Sequence, residues 1–183
     1  MDEKSVQAYK NDLSKGDEYD ENEYLLQEIV FHDNGTYSLI AEQFYVEEKT
    51  VRSANMISSE YHYYDGDIWM INFKADGALN WKQKIKKSQK TINTSRFYAS
   101  FAHQVAKDKT YFIFNDIPKG SYKKSVACMV AIDKDGVVQK EELFSSAETK
   151  IVLRPLSFKQ INQNAMVMMG QKKFDYMLVK LAF

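Results

Sequence analysis

The chain reads as all-β, built from antiparallel meander repeats, and three observations lead there. Residues 67–81 run Asp-Ile-Trp-Met-Ile-Asn-Phe-Lys-Ala-Asp-Gly-Ala-Leu-Asn-Trp, an apolar run, an Asp-Gly turn and a second strand. The same pattern returns at residues 126–140 around Asp135-Gly136, and its apolar half returns once more from Asp175 to Phe183. Between the copies lie further hairpin signals, so that strand, tight turn, strand and longer connection alternate along residues 23–183.

Taken in order, residues 1–22 are polar and acidic, an arm whose residues 5–9 alternate weakly enough to suggest one short edge strand. The first unit, residues 23–90, opens with apolar stretches at 25–31 and 37–41 flanking Asp33-Asn34-Gly35. Asn-Gly there predicts a tight type I′ turn, with positive φ at both central residues. A polar stretch at 47–60 reads as a long connection, followed by the hairpin that turns at Asp76-Gly77.

The second unit, residues 91–147, pairs 97–101 with 110–114 across a turn near Lys107-Asp108-Lys109, then repeats the hairpin at Asp135-Gly136. The third, residues 148–183, has strands around 156–160 and 165–169, then one more strand, leaving it without a fourth. Near-continuous apolar runs at 68–73 and 129–132 predict strands covered on both faces, and the half-polar 79–85 and 137–144 predict outer edges facing water.

Each unit is thus the four-stranded meander of a propeller blade, with a β-sandwich or flattened barrel as the alternative. The 67–81 pattern resembles the blade repeat of bacterial β-propeller proteins, and the resemblance spans most of residues 25–183. It implies about three blades, an open array or part of a longer propeller, and tilts localisation towards the cell envelope. It implies no activity, since such blades serve many roles. A Gly-His…Trp-Asp signature and paired kelch glycines are both missing from the sequence.

Composition narrows the function classes. At 183 residues with 44% hydrophobic and 14% aromatic content, the chain can bury a sizeable core. Twenty-five basic residues balance 25 acidic ones, so no global field draws in nucleic acid or an anionic membrane. Cys128 is the single cysteine and sits in an apolar run, which places it in the core and removes disulfide and cysteine-metal chemistry. No apolar run approaches the roughly 18 residues of a membrane span.

Tight turns at one end of a meander leave the longer connections, residues 47–66, 86–96, 115–125, 145–155 and 170–174, at the other, where binding is expected. The most pointed cluster there is Tyr61, His62, Tyr63, Tyr64 and Asp65, with Tyr122 on a neighbouring loop. Three phenols and an imidazole can stack a sugar ring or grip a peptide, or can instead pack as alternate core residues of a strand. The lysines at 82, 84, 86, 87 and 90 with Arg96, then those at 119, 123 and 124, can hold an acidic partner or, more simply, form a solvated edge, and at zero net charge they read as the edge.

Metal and catalytic patterns fail. Asp133-Lys134-Asp135-Gly136 departs from a calcium loop, since Phe144 stands where the twelfth-position Glu is required. His32, His62 and His103 lack metal-ligand spacing, and the matching positions of His32 and His103 near first turns read as surface. Met166, Met168 and Met169 read as core filling, and Asn34 and Asn93 satisfy the glycosylation sequon.

The expectation is therefore a non-catalytic binding module without cofactor or metal, holding a protein, peptide or glycan at the long-connection end. The alternatives are a glycan- or peptide-directed hydrolase or lyase sited at the same end, and an assembly piece pairing through its C-terminal edge strand with a second copy.

Overall fold

The computed structural model describes residues 24–53, 56–93, 96–117 and 124–183. The N-terminal arm, Lys119, Tyr122 and Lys123 lie outside these. Three antiparallel sheets follow one another along the chain. The first holds β1 (Tyr24–Phe31), β2 (Tyr37–Ser53), β3 (Met56–Phe73) and β4 (Leu79–Ile85) in meander order, with β5 (Gln89–Ile92) added against β3. The second holds β6 (Ala102–Ala106), β7 (Lys109–Asp116), β8 (Val126–Asp133) and β9 (Val138–Ser145). A single-turn helix α1 (Ser146–Thr149) leads to the third, β10 (Val152–Asn162), β11 (Ala165–Lys172) and β12 (Asp175–Ala182). No helix among the described residues is long and apolar enough to cross a membrane.

Alternation along each strand decides which sheet packs on which. Ile40, Ile68, Met70 and Ile85 of the first sheet form one buried cluster with Phe101, Phe112, Phe114, Cys128, Val130 and Ile132. The alternate residues Ala102, Ile113 and Ala127 turn the other way and join Leu153, Met166 and Met168 of the third sheet. The second sheet is the middle layer, and its run Phe112-Ile113-Phe114 is wholly buried because both its faces are covered. Each of these side chains contributes about 1.5–3 kcal/mol by leaving water.

The tight turns differ from the type I′ expectation in an instructive way. Gly35 donates its N–H to His32 O while His32 donates to Thr36 O, and only the glycine takes positive φ, at 79°. That is a type I turn closed by a left-handed residue, a three-residue loop in which Asn34 needs no unusual conformation. Gly77 (85°) and Gly136 (82°) repeat it in their hairpins. The two-residue turn with consecutive positive φ falls instead at Lys107 (49°) and Asp108 (62°).

Two expected loops are strands. Residues 47–60 continue β2 and β3 as a paired ribbon, in register from Phe44↔Asp65 out to Ser53↔Met56. Pairing of β1 with β2 ends at Tyr24↔Gln43, so the ribbon projects beyond the body of its sheet. Within residues 86–96, β5 pairs with the base of the ribbon from His62↔Ile92 to Asp65↔Gln89. Polar alternation hid both, because a two-stranded ribbon wetted on both sides carries no apolar period.

Candidate functional site

The ribbon separates the predicted cluster. Directly opposed residues share a face, so Tyr61 and Tyr63 stand with Glu48 and Val46 on one side, and His62 and Tyr64 stand with Glu47 and Tyr45 on the other. On the second side Tyr64 makes its contacts within the ribbon and β5, while the buried His62 Nδ1 has no hydrogen-bond partner among the described residues. Tyr64 stacks on Tyr45 at 4.4 Å between centroids, its hydroxyl donates to Glu47 Oε2 at 2.9 Å, and Lys90 Nζ lies 5.1 Å over its ring. The Tyr64 hydroxyl and the Lys49 ammonium hold the Glu47 carboxyl below its ordinary range.

His62 is buried, with Nε2 3.1 Å from Glu60 Oε2. This joins an acid to a histidine, but the pair lies on the ribbon and outside the concave cavity described below. Large side chains are exposed on both sides, with Tyr45, Val51 and Met56 on the side of His62 and Tyr64 and three more on the side of Tyr61. Val46, Ile57 and Tyr61 are 46%, 70% and 44% exposed there, and the tyrosine backbone N–H is fixed by Asn93 Oδ1 at 2.8 Å.

The base of the ribbon is held by an ion cluster that sequence reasoning placed elsewhere. Lys87, expected on a solvated edge, is buried with its Nζ donating to Glu42 Oε1 (2.8 Å), Gln89 Oε1 (2.9 Å) and Asp65 O (3.1 Å). Arg96 donates to both Glu42 and Asp65, and Ser100 Oγ donates to Glu42 Oε2 at 2.7 Å. Two carboxylates thus face two cations and the cluster is neutral. Burial pushes the Asp65 carboxyl up against the opposing pull of Arg96, and burial pushes the Lys87 ammonium down. Lys82 and Lys84 do remain near the surface, their ammonium groups 5.9 and 5.5 Å over the Trp69 ring.

A cavity of about 820 Å³ opens at the opposite end, where the tight turns gather. It is lined from all three sheets, by Glu28 and His32, by His103 and Gln104, and by Phe158 and Gln160. His103 and His32, expected at the surface, both line it. His103 Nε2 lies 2.7 Å from Glu28 Oε2, bridging the first and second sheets, and its ring packs among Phe101, Phe112 and Phe158. Burial lowers the His103 pKa, and Glu28 pulls it back up. His32 Nε2 contacts Ser38 Oγ at 2.9 Å, which also receives Asn72 Nδ2, and burial lowers its pKa too.

Chemically the cavity offers one carboxylate–imidazole pair, amides and aromatic walls, a setting for a small polar ligand. Among the described residues no group of three or more His, Cys, Asp or Glu could hold a metal ion. Asp133 Oδ1 instead accepts the backbone N–H groups of Asp135 and Val137, which makes it a turn residue. Met166 and Met168 are buried in the core, as their apolar context predicts, whereas Met169, expected there too, is half-buried on the outward face of the third sheet. Comparison with family models, with curated proteins and with solved structures gives no match for this chain.

Proposed function

We propose that the chain is a non-catalytic binding module that holds a protein or peptide segment against the side of the projecting ribbon that carries Ile57 and Tyr61. The observation that carries this reading is the placement of Val46, Ile57 and Tyr61, three large exposed side chains, on one side of a ribbon that the body of its sheet does not cover. The ribbon base is fixed by the buried Glu42–Lys87–Asp65–Arg96 cluster, so the contact surface is presented in one orientation at little ordering cost. The binding end is thus the long-connection end, and its unit of recognition is a ribbon rather than a set of loops.

Selecting peptides from a display library against the whole chain, then measuring their affinity for Ile57→Asp/Tyr61→Asp, tests it. Both side chains are exposed, so the variant is expected to melt within about 2 °C of the parent and to lose at least about tenfold in affinity. Selected peptides that bind the variant as well as the parent would sink the reading.

A second reading follows from the His103–Glu28 pair, in which a small polar ligand, or the substrate of a hydrolase, occupies the tight-turn cavity. Peptides or glycans competed off by His103→Gln but not by the ribbon variant would favour it.

A further inference from the structure

The outermost faces of the three-sheet stack carry exposed apolar residues, bordered on each sheet by cationic side chains. On the first sheet, side chains facing away from the second form three ranks across the strands: Leu26–Ala41–Trp69–Lys84, Ile29–Leu39–Ile71–Lys82 and Phe31–Tyr37–Phe73–Leu79. Phe31 is 79% exposed, and Tyr37 stacks on Phe73 at 5.2 Å. On the third sheet the corresponding outward residues are Val167, Met169, Tyr176 and Leu178, the last 76% exposed, among Arg154, Lys159, Gln171 and Lys180. Lone apolar residues at a surface need no explanation, but whole sheet faces do.

The stack also has a direction. The first sheet's forward face meets the second sheet's rear face, and the second's forward face meets the third's rear face. Among the described residues, what no other sheet covers is therefore one rear face, on the first sheet, and one forward face, on the third, where Phe97 packs on Arg154 and the Tyr98 hydroxyl donates to Gln171. These are unlike in the way that each internal pair is unlike, and a head-to-tail contact between them repeats the internal arrangement.

We propose that both faces are covered by a second copy of this chain, the third sheet of each protomer packing on the first sheet of the other to close a two-fold ring of six sheets. Six lies within the four to eight blades of closed propellers, whereas three does not. Strand spacing and length give roughly 400 Å² per sheet face, so the four faces covered in the pair amount to about 1,600 Å², the size of a stable interface. Lys159 and Lys180, which flank Val167, would lie against the Phe31, Tyr37, Phe73 and Trp69 rings, which accept cations and aliphatic stems alike, while Lys82 and Lys84 stand at the β4 border of that face with Lys84 paired to Asp67. The contact is face to face rather than through the edge of β12. It is independent of the ribbon, and it completes the cavity, since Glu28, His103 and Gln160 of one copy would look across the ring axis at those of the other.

Light scattering on the full chain at about 100 µM tests this against the ordinary range of dimer affinities. The expected mass is twice 21.3 kDa. Phe31→Asp on one face and Leu178→Asp on the other change exposed side chains, so each variant is expected to keep its circular dichroism and melting temperature and to fall to the mass of one chain. Mixing the two variants restores one intact contact of about half the area, so only a weaker association is expected there. A monomeric parent overturns the proposal, as it would if residues 1–23 cover these faces. A dimer that survives either variant alone overturns the head-to-tail arrangement.

Discussion

Lys87 Nζ lies 2.8 Å from Glu42 Oε1 with both side chains wholly withdrawn from solvent, in a protein whose other lysines mostly remain wet. A buried pair of this kind holds position more than it adds stability, because desolvation offsets most of the attraction. Removing one member is another matter.

Lys87→Met leaves Glu42 with Arg96 as its only cation among the described residues, and Arg96 is itself 25% exposed. The expected loss is about 3–5 kcal/mol in urea denaturation. The double variant Lys87→Met/Glu42→Leu is expected to recover part of it, since no uncompensated charge then stays buried. An unchanged urea midpoint in the single variant would mean that water reaches the cluster.

His103 sets an acid-side pH dependence. Burial holds its folded pKa below the ordinary 6.5, so the unfolded state binds more protons in the window just below 6.5. Stability is therefore complete above that window and falls as pH drops through it. The melting temperature is expected to decline from pH 7 to pH 5, with a shallower decline in His103→Gln. Parallel curves for the two proteins would show that the imidazole titrates freely.

Gly136 and Gly77 separate backbone strain from crowding. Both have positive φ in the same turn, but a Cβ at Gly136 would stand 2.9 Å from the Trp81 ring, whereas at Gly77 the nearest atom is Tyr37 Oη at 3.8 Å. Gly77→Ala is expected to cost about 1 kcal/mol, from conformation alone. Gly136→Ala is expected to cost more, because Trp81 is held by its Nε1–H donating to Lys134 O at 3.0 Å and cannot swing away freely. Equal costs in chemical denaturation would show that the ring yields.

Cys128 is buried between the first two sheets, and burial pushes its thiol pKa up. A thiol reagent at neutral pH is expected to modify it only as fast as the protein opens. Labelling at the rate of a free thiol under native conditions would contradict the packing.

How much of this was legible in the sequence follows from what each signal depends on. Leu79–Ile85 could be read as a strand to the residue, and the hairpins at Asp76-Gly77 and Asp135-Gly136 were visible, because alternation and turn chemistry are local. The missing fourth strand of the third unit was visible for the same reason. Lys87 was not, because nothing in a lysine-rich stretch tells which ammonium will meet Glu42, 45 residues earlier. The ribbon was missed because its strands are polar, and the pairing of His103 with Glu28 because two sheets must first stack. Tyr61 to Tyr64 were found as a cluster, and their packing as alternate residues of a strand was legible as the alternative, because the period of two is local.

The middle position of the second sheet has a dynamic consequence. In a linear stack, opening an outer sheet breaks one interface, whereas opening the second breaks two. Asn115, on β7, ties that layer to its neighbours, donating to Leu153 O and Tyr98 O and accepting from Gln89 Nε2 through its carbonyl. Amide hydrogens of β7 and β8 should therefore exchange only when the whole molecule unfolds, and those of β1 and β12 through smaller, more frequent openings. In the six-sheet ring that gradient would flatten, since no sheet there is terminal.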